Sequence, residues 1–290
     1  MSDQYVISSS TMTGIADAIR SKTGSTSAFT PSQMISAISN ITVGGDIAPY
    51  EYAESNITSY TGNEKYLLDY AFSSCQSLGM VSFTECEFIT NNVFFACFSL
   101  TNISFPKCTY IGEGAFRACK LLTAALFPEC SLIGANAFSS CSSLANISFP
   151  KCVSIGSGAF IQCDTIKDAS FSLCRYVGAS AFDMCDLLET ANFPECSYIG
   201  NYAFRYCVKL SVASFPRCQN INMNAFKFCG SLSKLYLNQV TSVPSLETGA
   251  LDNTPLSAGG AGSIYVPASL YSNFQTATNW SAVAARLVSV

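Results

Sequence analysis

The residues best equipped for chemistry in this 290-residue chain are its fifteen cysteines, and from Cys75 to Cys229 one falls at every eleventh position. Thiols spaced like this could form disulfides, hold a metal, act as nucleophiles or pack as small hydrophobes. No Cys-x-x-Cys pair occurs and there is no histidine, which removes the common structural zinc patterns and the Cys/His and Ser/His nucleophile arrangements. The odd count does not suit a complete disulfide framework. Two kinds of cysteine alternate: one closes Phe-Pro-x-Cys, as in Phe105 to Cys108, and the other closes Ala-Phe-x-x-Cys, as in Ala115 to Cys119. The true period is therefore 22 residues, which marks a stack of supersecondary units. Equivalent cysteines should then lie about 4.8 Å apart. That distance alone would allow a disulfide, but side chains projecting in parallel lack the crossed geometry. The ladder reads as reduced, buried small hydrophobes.

The elements that position these thiols follow from one unit, Leu100-x-x-Ile103-x-Phe105-Pro106-x-Cys108-x-x-Ile111-Gly112-x-x-Ala115-Phe116-x-x-Cys119. Leu-x-x-Ile-x-Phe is a short strand, and stacked copies give a parallel β-sheet on the concave face of a solenoid. Pro106 ends the strand because it cannot donate to the ladder. Gly112 allows a turn that a Cβ would hinder. Ala115-Phe116 opens a short helical or 3-10 return, and the phenylalanines at 72, 94, 116, 138, 160, 182, 204 and 226 form a stacked spine. Residues 67–267 make up this solenoid, with residues 46–66 leading into it. Residues 1–45 form a small helical segment. Ile15, Ala16 and Ile19 mark one helix over 11–21, and Thr30-Pro31-Ser32-Gln33 caps a second over 31–41. That segment either caps the array or attaches it to something else. After a three-residue slip, in which Leu251 takes a phenylalanine position, residues 268–290 supply a helical C-terminal cap around Phe274 and Trp280.

Composition sets further bounds. A net charge of −4 gives no basic footprint, so nucleic acid is not an expected partner. No apolar run reaches the ~18–20 residues needed to span a bilayer, so no membrane insertion is expected. The opening Met1-Ser2-Asp3-Gln4-Tyr5 lacks the basic start and apolar core of an export signal. The carboxylates show no convergent pair, and the glycines at 112, 134, 156, 178 and 200 recur at repeat spacing, unlike a phosphate loop. The chain is not expected to be an enzyme or to carry a cofactor or metal.

Two variable columns remain. The position before the Phe-Pro-x-Cys cysteine reads Glu85, Lys107, Glu129, Lys151, Leu173, Glu195, Arg217, and these opposite charges should pair along the stack. The outward strand positions include Asn102, Ser104, Asn146, Ser148, Asp168, Ser170, Thr190, Asn192, Lys234 and Tyr236. They are the candidate ligand-binding residues. Small neutral polar groups suit a glycan or a polar protein surface, and they equally describe an inert sheet. A further column of aromatics, Phe88, Tyr110, Tyr176 and Tyr198, should pack over the turns.

The unit resembles the BspA-like class of bacterial leucine-rich repeats over residues 67–267. Its most specific part, Ile-Gly-x-x-Ala-Phe-x-x-Cys, occurs in full at Ile111, Ile133, Ile155 and Ile199. The resemblance implies a leucine-rich repeat solenoid used for adhesion or for protein or glycan binding. Separately, Ile15-Ala16-Asp17-Ala18-Ile19-Arg20-x-Lys22-Thr23-Gly24 with Thr30-Pro31-x-x-Met34 is similar to the leading segment of phage and prophage tail-associated proteins. Together the two imply a tail-associated recognition protein, made in the bacterial cytoplasm and located in the virion. Its partners would be other tail proteins through residues 1–45, a host-surface protein or glycan through the solenoid, and further copies of itself as a homo-oligomer. The alternative is a bacterial surface adhesin or interaction module of the BspA-like type.

Overall fold

The computed structural model describes residues 56–290. The helices expected over 11–21 and 31–41, and the attachment or capping role of residues 1–45, lie outside the described residues.

Each coil carries two strands. Three-residue strands such as Asn102–Ser104, Asn146–Ser148 and Thr190–Asn192 form one face, in parallel runs of three, two and six strands. Two-residue strands from Tyr66–Leu67 to Ser245–Leu246 form an unbroken parallel sheet of nine. Register follows the sequence period: Ser154 pairs with Leu132 before it and Tyr176 after it. The three-residue slip appears as Asn220 pairing with Ser245, 25 positions on. The molecule is a parallel β-solenoid of the leucine-rich repeat type.

Alternation in Leu-x-x-Ile-x-Phe explains the first face. Leu100 and Phe105 are buried, Ile103 is half-buried between them, and Asn102 and Ser104 are exposed. Pro106 then occupies the second position of a turn that the Cys108 N–H closes by donating to the Phe105 carbonyl at 3.3 Å.

The return past Ala115-Phe116 buries the phenylalanine as expected, but it is a chain of turns and not the helical return read from the sequence. Gly114 and Ala118 are left-handed, with φ of 60° and 62°, and a left-handed residue every fourth position interrupts any helix. The N–H groups of Gly114, Phe116 and Ala118 are turned out of the coil, donating to Ala135, Ala137 and Ser139 of the next one at 2.7–2.8 Å. Those bonds satisfy backbone donors that a helix would have satisfied internally. The neighbouring glycine column has a different cause from the one expected. Gly134 is not left-handed, but a Cβ there would lie 2.6 Å from the Gly112 carbonyl carbon of the coil below. Close approach of one coil to the next demands the glycine.

Two phenylalanine columns fill the core. The expected one stacks almost coplanar, with Phe116–Phe138 centroids 5.2 Å apart and Phe138–Phe160 5.3 Å apart. A second column, from the Phe-Pro positions, stacks likewise (Phe127–Phe149, 5.5 Å), and Phe138 meets Phe149 edge to face at 5.8 Å and 64°. All fifteen cysteines are free and buried. Those of the Ala-Phe-x-x-Cys kind donate their thiol hydrogen to the phenylalanine carbonyl of the preceding coil: Cys119 to Phe94, Cys141 to Phe116 and Cys163 to Phe138, each at 3.1 Å. Those of the other kind donate within their own coil, as Cys130 does to the Leu132 carbonyl at 3.3 Å.

At the C-terminal end, residues 268–270, helix α1 (Tyr271–Thr276) and the 3-10 turns of 281–286 cover the last coil, and the strand Leu287–Ser289 pairs with Ser263–Val266. Trp280 is fully buried there. It packs edge-on against Phe274 at 4.9 Å and donates its indole N–H to the Pro244 carbonyl at 2.7 Å.

Phe138 touches rings above, below and beside it, so Phe138→Ala should destabilise the solenoid by about 3–5 kcal/mol. The measurement is the midpoint of denaturant unfolding, and an unchanged midpoint would contradict this account of the core.

Candidate binding face

The three-residue strands place all ten expected residues on one surface, in two files. Asp168, Thr190, Val212 and Lys234 follow one another in register, as do Ser170, Asn192, Ser214, Tyr236 and Tyr265. Earlier in the chain, Asn102 pairs with Met80, Ser104 with Ser82, Asn146 with Ala124 and Ser148 with Leu126. Nine of the ten are exposed, and Tyr236 is half-buried. The only side-chain bond along these files between expected residues on neighbouring strands, among those described, is Thr190 Oγ1 donating to Asp168 Oδ1 at 2.5 Å. The surface therefore offers hydroxyls and amides that remain available for a ligand, and it ends in the stacked rings of Tyr236 and Tyr265, 4.5 Å apart.

The sequence reading missed the ends of this face, among them two large side chains. Met80 is 51% exposed and extends the first file. Its signal was Met80-Val81-Ser82-Phe83, the same strand pattern with Val for Ile. Tyr265 extends the second file, and Ile264-Tyr265-Val266 mirrors Leu235-Tyr236-Leu237.

The two-residue strands present a different surface. Leu132 and Ser154 are buried there. Hydroxyls beside these strands are engaged internally: Thr109, Ser131 and Ser197 each donate to the carbonyl of the residue one coil back, at 3.1–3.3 Å. The four aromatics expected over the turns sit on this sheet; Tyr176 stacks on Tyr198, and Phe88 stacks on Tyr66, a residue outside the expected column.

Charges behave as the spacing suggested. Lys107 pairs with Glu85 at 2.7 Å, Lys151 with Glu129 at 2.5 Å and Arg217 with Glu195 at 2.8 Å. These exposed pairs are worth about 0–1 kcal/mol each and chiefly favour one register. A stronger pair was not foreseen. Asp183 is fully buried, and Arg205 of the next coil donates to it twice, Nε to Oδ1 at 3.1 Å and Nη2 to Oδ2 at 2.6 Å. The Arg205 guanidinium also lies over the rings of Tyr202 and Tyr206. The hydrogen bonds that Arg205 donates to Asp183 raise the already high pKa of the guanidinium further.

The thiols are poor candidates for chemistry. Burial pushes Cys75 up to about 11 and Cys130 and Cys218 up to about 12, and holds Cys119, Cys141 and Cys163 well above the ordinary thiol value. At neutral pH these groups are neutral and hold their hydrogens as donors. Among the described residues, no three or more histidine, cysteine or carboxylate side chains are grouped to hold a metal ion, and no helix is long and apolar enough to cross a membrane.

A family model described as BspA type leucine rich repeat region, in six copies, matches residues 45–167 and 131–257. Similar solved structures include a leucine-rich repeat protein from Bacteroides ovatus, 16% identical, covering 81% of this chain and 84% of that one, with a TM-score of 0.38. A leucine rich cell surface protein from Faecalibacterium prausnitzii is 20% identical, covering 80% and 78%, with a TM-score of 0.37. A leucine rich repeat protein from T. pallidum is 21% identical, covering 59% and 71%, with a TM-score of 0.41. No curated protein matches the chain.

Thiol burial fixes the response to alkali. An unfolded chain ionises its thiols near pH ~8.5, whereas the folded protein keeps them protonated to about 11–12 at the positions above. The stabilisation is complete below the unfolded value and declines as pH rises past it, because only the unfolded chain releases protons. The denaturant midpoint should fall steadily between pH 8 and pH 10, and a flat midpoint over that range would contradict the assignment.

Proposed function

Because this chain belongs to the BspA-type leucine-rich repeat family, we propose that it is a non-enzymatic recognition module that binds a protein or glycan surface through the face of its three-residue strands. One observation carries this reading. The inward columns repeat the same phenylalanines, cysteines and leucines from coil to coil, while the outward files change from Asn102 to Ala124, Asn146, Asp168, Thr190, Val212 and Lys234. A surface free to vary on a repeated core is the usual arrangement of a solenoid binding face. The hydroxyls and amides suit hydrogen bonding to a polar polymer, and the Tyr236–Tyr265 pair suits stacking on a sugar ring or an apolar side chain.

Two settings fit such a module. The N-terminal segment around Ile15 to Met34 supports a phage or prophage tail component, attached to other tail proteins through residues 1–45 and meeting the host surface with the solenoid. Family membership fits a bacterial surface adhesin equally well. Mass spectrometry of purified phage particles separates the two.

The binding face itself is tested by adding labelled protein to intact bacterial cells. Asn146→Arg with Asn192→Arg should lower cell binding at least tenfold, whereas Leu173→Arg, on an exposed turn away from the strands, should leave it unchanged. Equal binding by all three proteins would overturn the assignment to this face.

A further inference from the structure

Beside the strand face, the turns that end each Ala-Phe-x-x-Cys run border a groove of about 680 Å³. Two columns line it, Gln162, Met184 and Tyr206 in one and Asp164, Asp186 and Val208 in the other, each one coil from the next, with Lys120 two coils before Asp164 at its far end. Tyr206 and Val208 are exposed, at 36% and 42%, so the groove offers uncovered apolar surface. It also holds a charge arrangement found at none of the paired positions above. There, stacked acids meet a cation: Glu85 meets Lys107, Glu129 Lys151, Glu195 Arg217 and Asp183 Arg205. Here two carboxylates stack on adjacent coils, and neither makes a hydrogen bond or ion pair with a described residue. Like charges one coil apart repel, and a cation seated between them would relieve that cost.

Tyr206 is also held firmly. Arg205, anchored by both oxygens of buried Asp183, lies against its ring, and Phe228 stacks on it at 4.7 Å. Such a fixed aromatic beside exposed apolar and charged groups has the make-up of an interface anchor.

We propose that this groove docks an extended segment of a protein partner that carries a basic side chain and, two residues away, an apolar one. The spacing follows from the coil step. Successive coils are ~4.8 Å apart, so a cation midway between Asp164 and Asp186 sits ~7.2 Å from the level of Val208. In an extended chain, side chains two residues apart point the same way and lie ~6.8 Å apart. An arginine fork would bridge both carboxylates while the apolar partner covers Val208 and Tyr206. Partial burial, and then the charge of Asp186, raises the Asp164 carboxyl.

The test uses the full chain and fluorescence anisotropy with labelled Ser-Arg-Ser-Leu-Ser. It adds a control peptide, Ser-Ser-Arg-Leu-Ser, whose adjacent Arg and Leu face opposite sides, and the neutral sugar chitohexaose. Asp164→Asn with Asp186→Asn removes both charges at exposed positions and should leave the melting temperature unchanged or higher. The first peptide should bind the native protein at least tenfold more tightly than it binds the double variant, and at least tenfold more tightly than the control peptide binds. Equal binding by native protein and variant, or no binding to the native protein, would overturn the proposal. Binding of chitohexaose in place of the peptide would also overturn it and would give the groove to a glycan.

Discussion

A thiol donating into the backbone of the coil below is the contact around which this solenoid is arranged. Each Phe carbonyl of an Ala-Phe-x-x-Cys run already accepts the N–H of its own cysteine; Cys119 N–H, for example, donates to Phe116 O at 3.1 Å. Its second lone pair faces the next coil, and Cys141 fills it with a thiol hydrogen, also at 3.1 Å. Valine would fit the volume but leave that acceptor with one partner fewer. Serine would donate but would bring a smaller, more strongly hydrated group into an apolar core. A sulfhydryl combines a large apolar atom with one weak donor, which suits this position. Each bond contributes at most about 0.5–1.5 kcal/mol, yet the column repeats it at every coil and in one register.

The remaining columns obey the same step. Phenylalanine rings stack at 5.1–5.3 Å along the Ala-Phe column, close to the strand spacing, so rings and backbone advance together. Glycine at 134 lets one backbone lie on another, and the outward-turned N–H groups of Gly114, Phe116 and Ala118 tie each coil to the next. Because every coil contacts only its neighbours, damage to one column weakens two interfaces and leaves distant coils as they were. Specificity is confined to what projects outward. The strand face can change residue by residue without disturbing the interior, and the turn edge can hold charges that the interior would reject.

Much of this was legible in the sequence because a period of 22 leaves little choice of register. The buried cysteines, the first phenylalanine column, the Glu85–Lys107 type of pair and the exposed strand files all followed from position within the unit. The character of the return did not. Ala115-Phe116-x-x-Cys119 has the apolar spacing of a helix start, and propensity cannot show that alternate N–H groups bond to another coil. A partial signal was nevertheless present: the first left-handed position reads Asn92, Gly114, Asn136 and Gly158 in four successive coils, residues that accept positive φ, although Ser180 and Tyr202 follow them. The second phenylalanine column was read only as a strand end, because its contacts cross the coil. Asp183 and Arg205 occupy a column otherwise filled by Ser73, Phe95, Arg117, Ser139, Ile161 and Lys227, so nothing in the local pattern marked a buried carboxylate.

The most direct test of the thiol contact is the S–H stretching band, followed by Raman spectroscopy in native and unfolded protein without reductant. Donation to carbonyls should give a native band carrying the intensity of all fifteen thiols, displaced to lower wavenumber than in the unfolded chain. A native band at the unfolded position would contradict donation. Intensity that appears only after reduction would show disulfides in place of the thiol ladder.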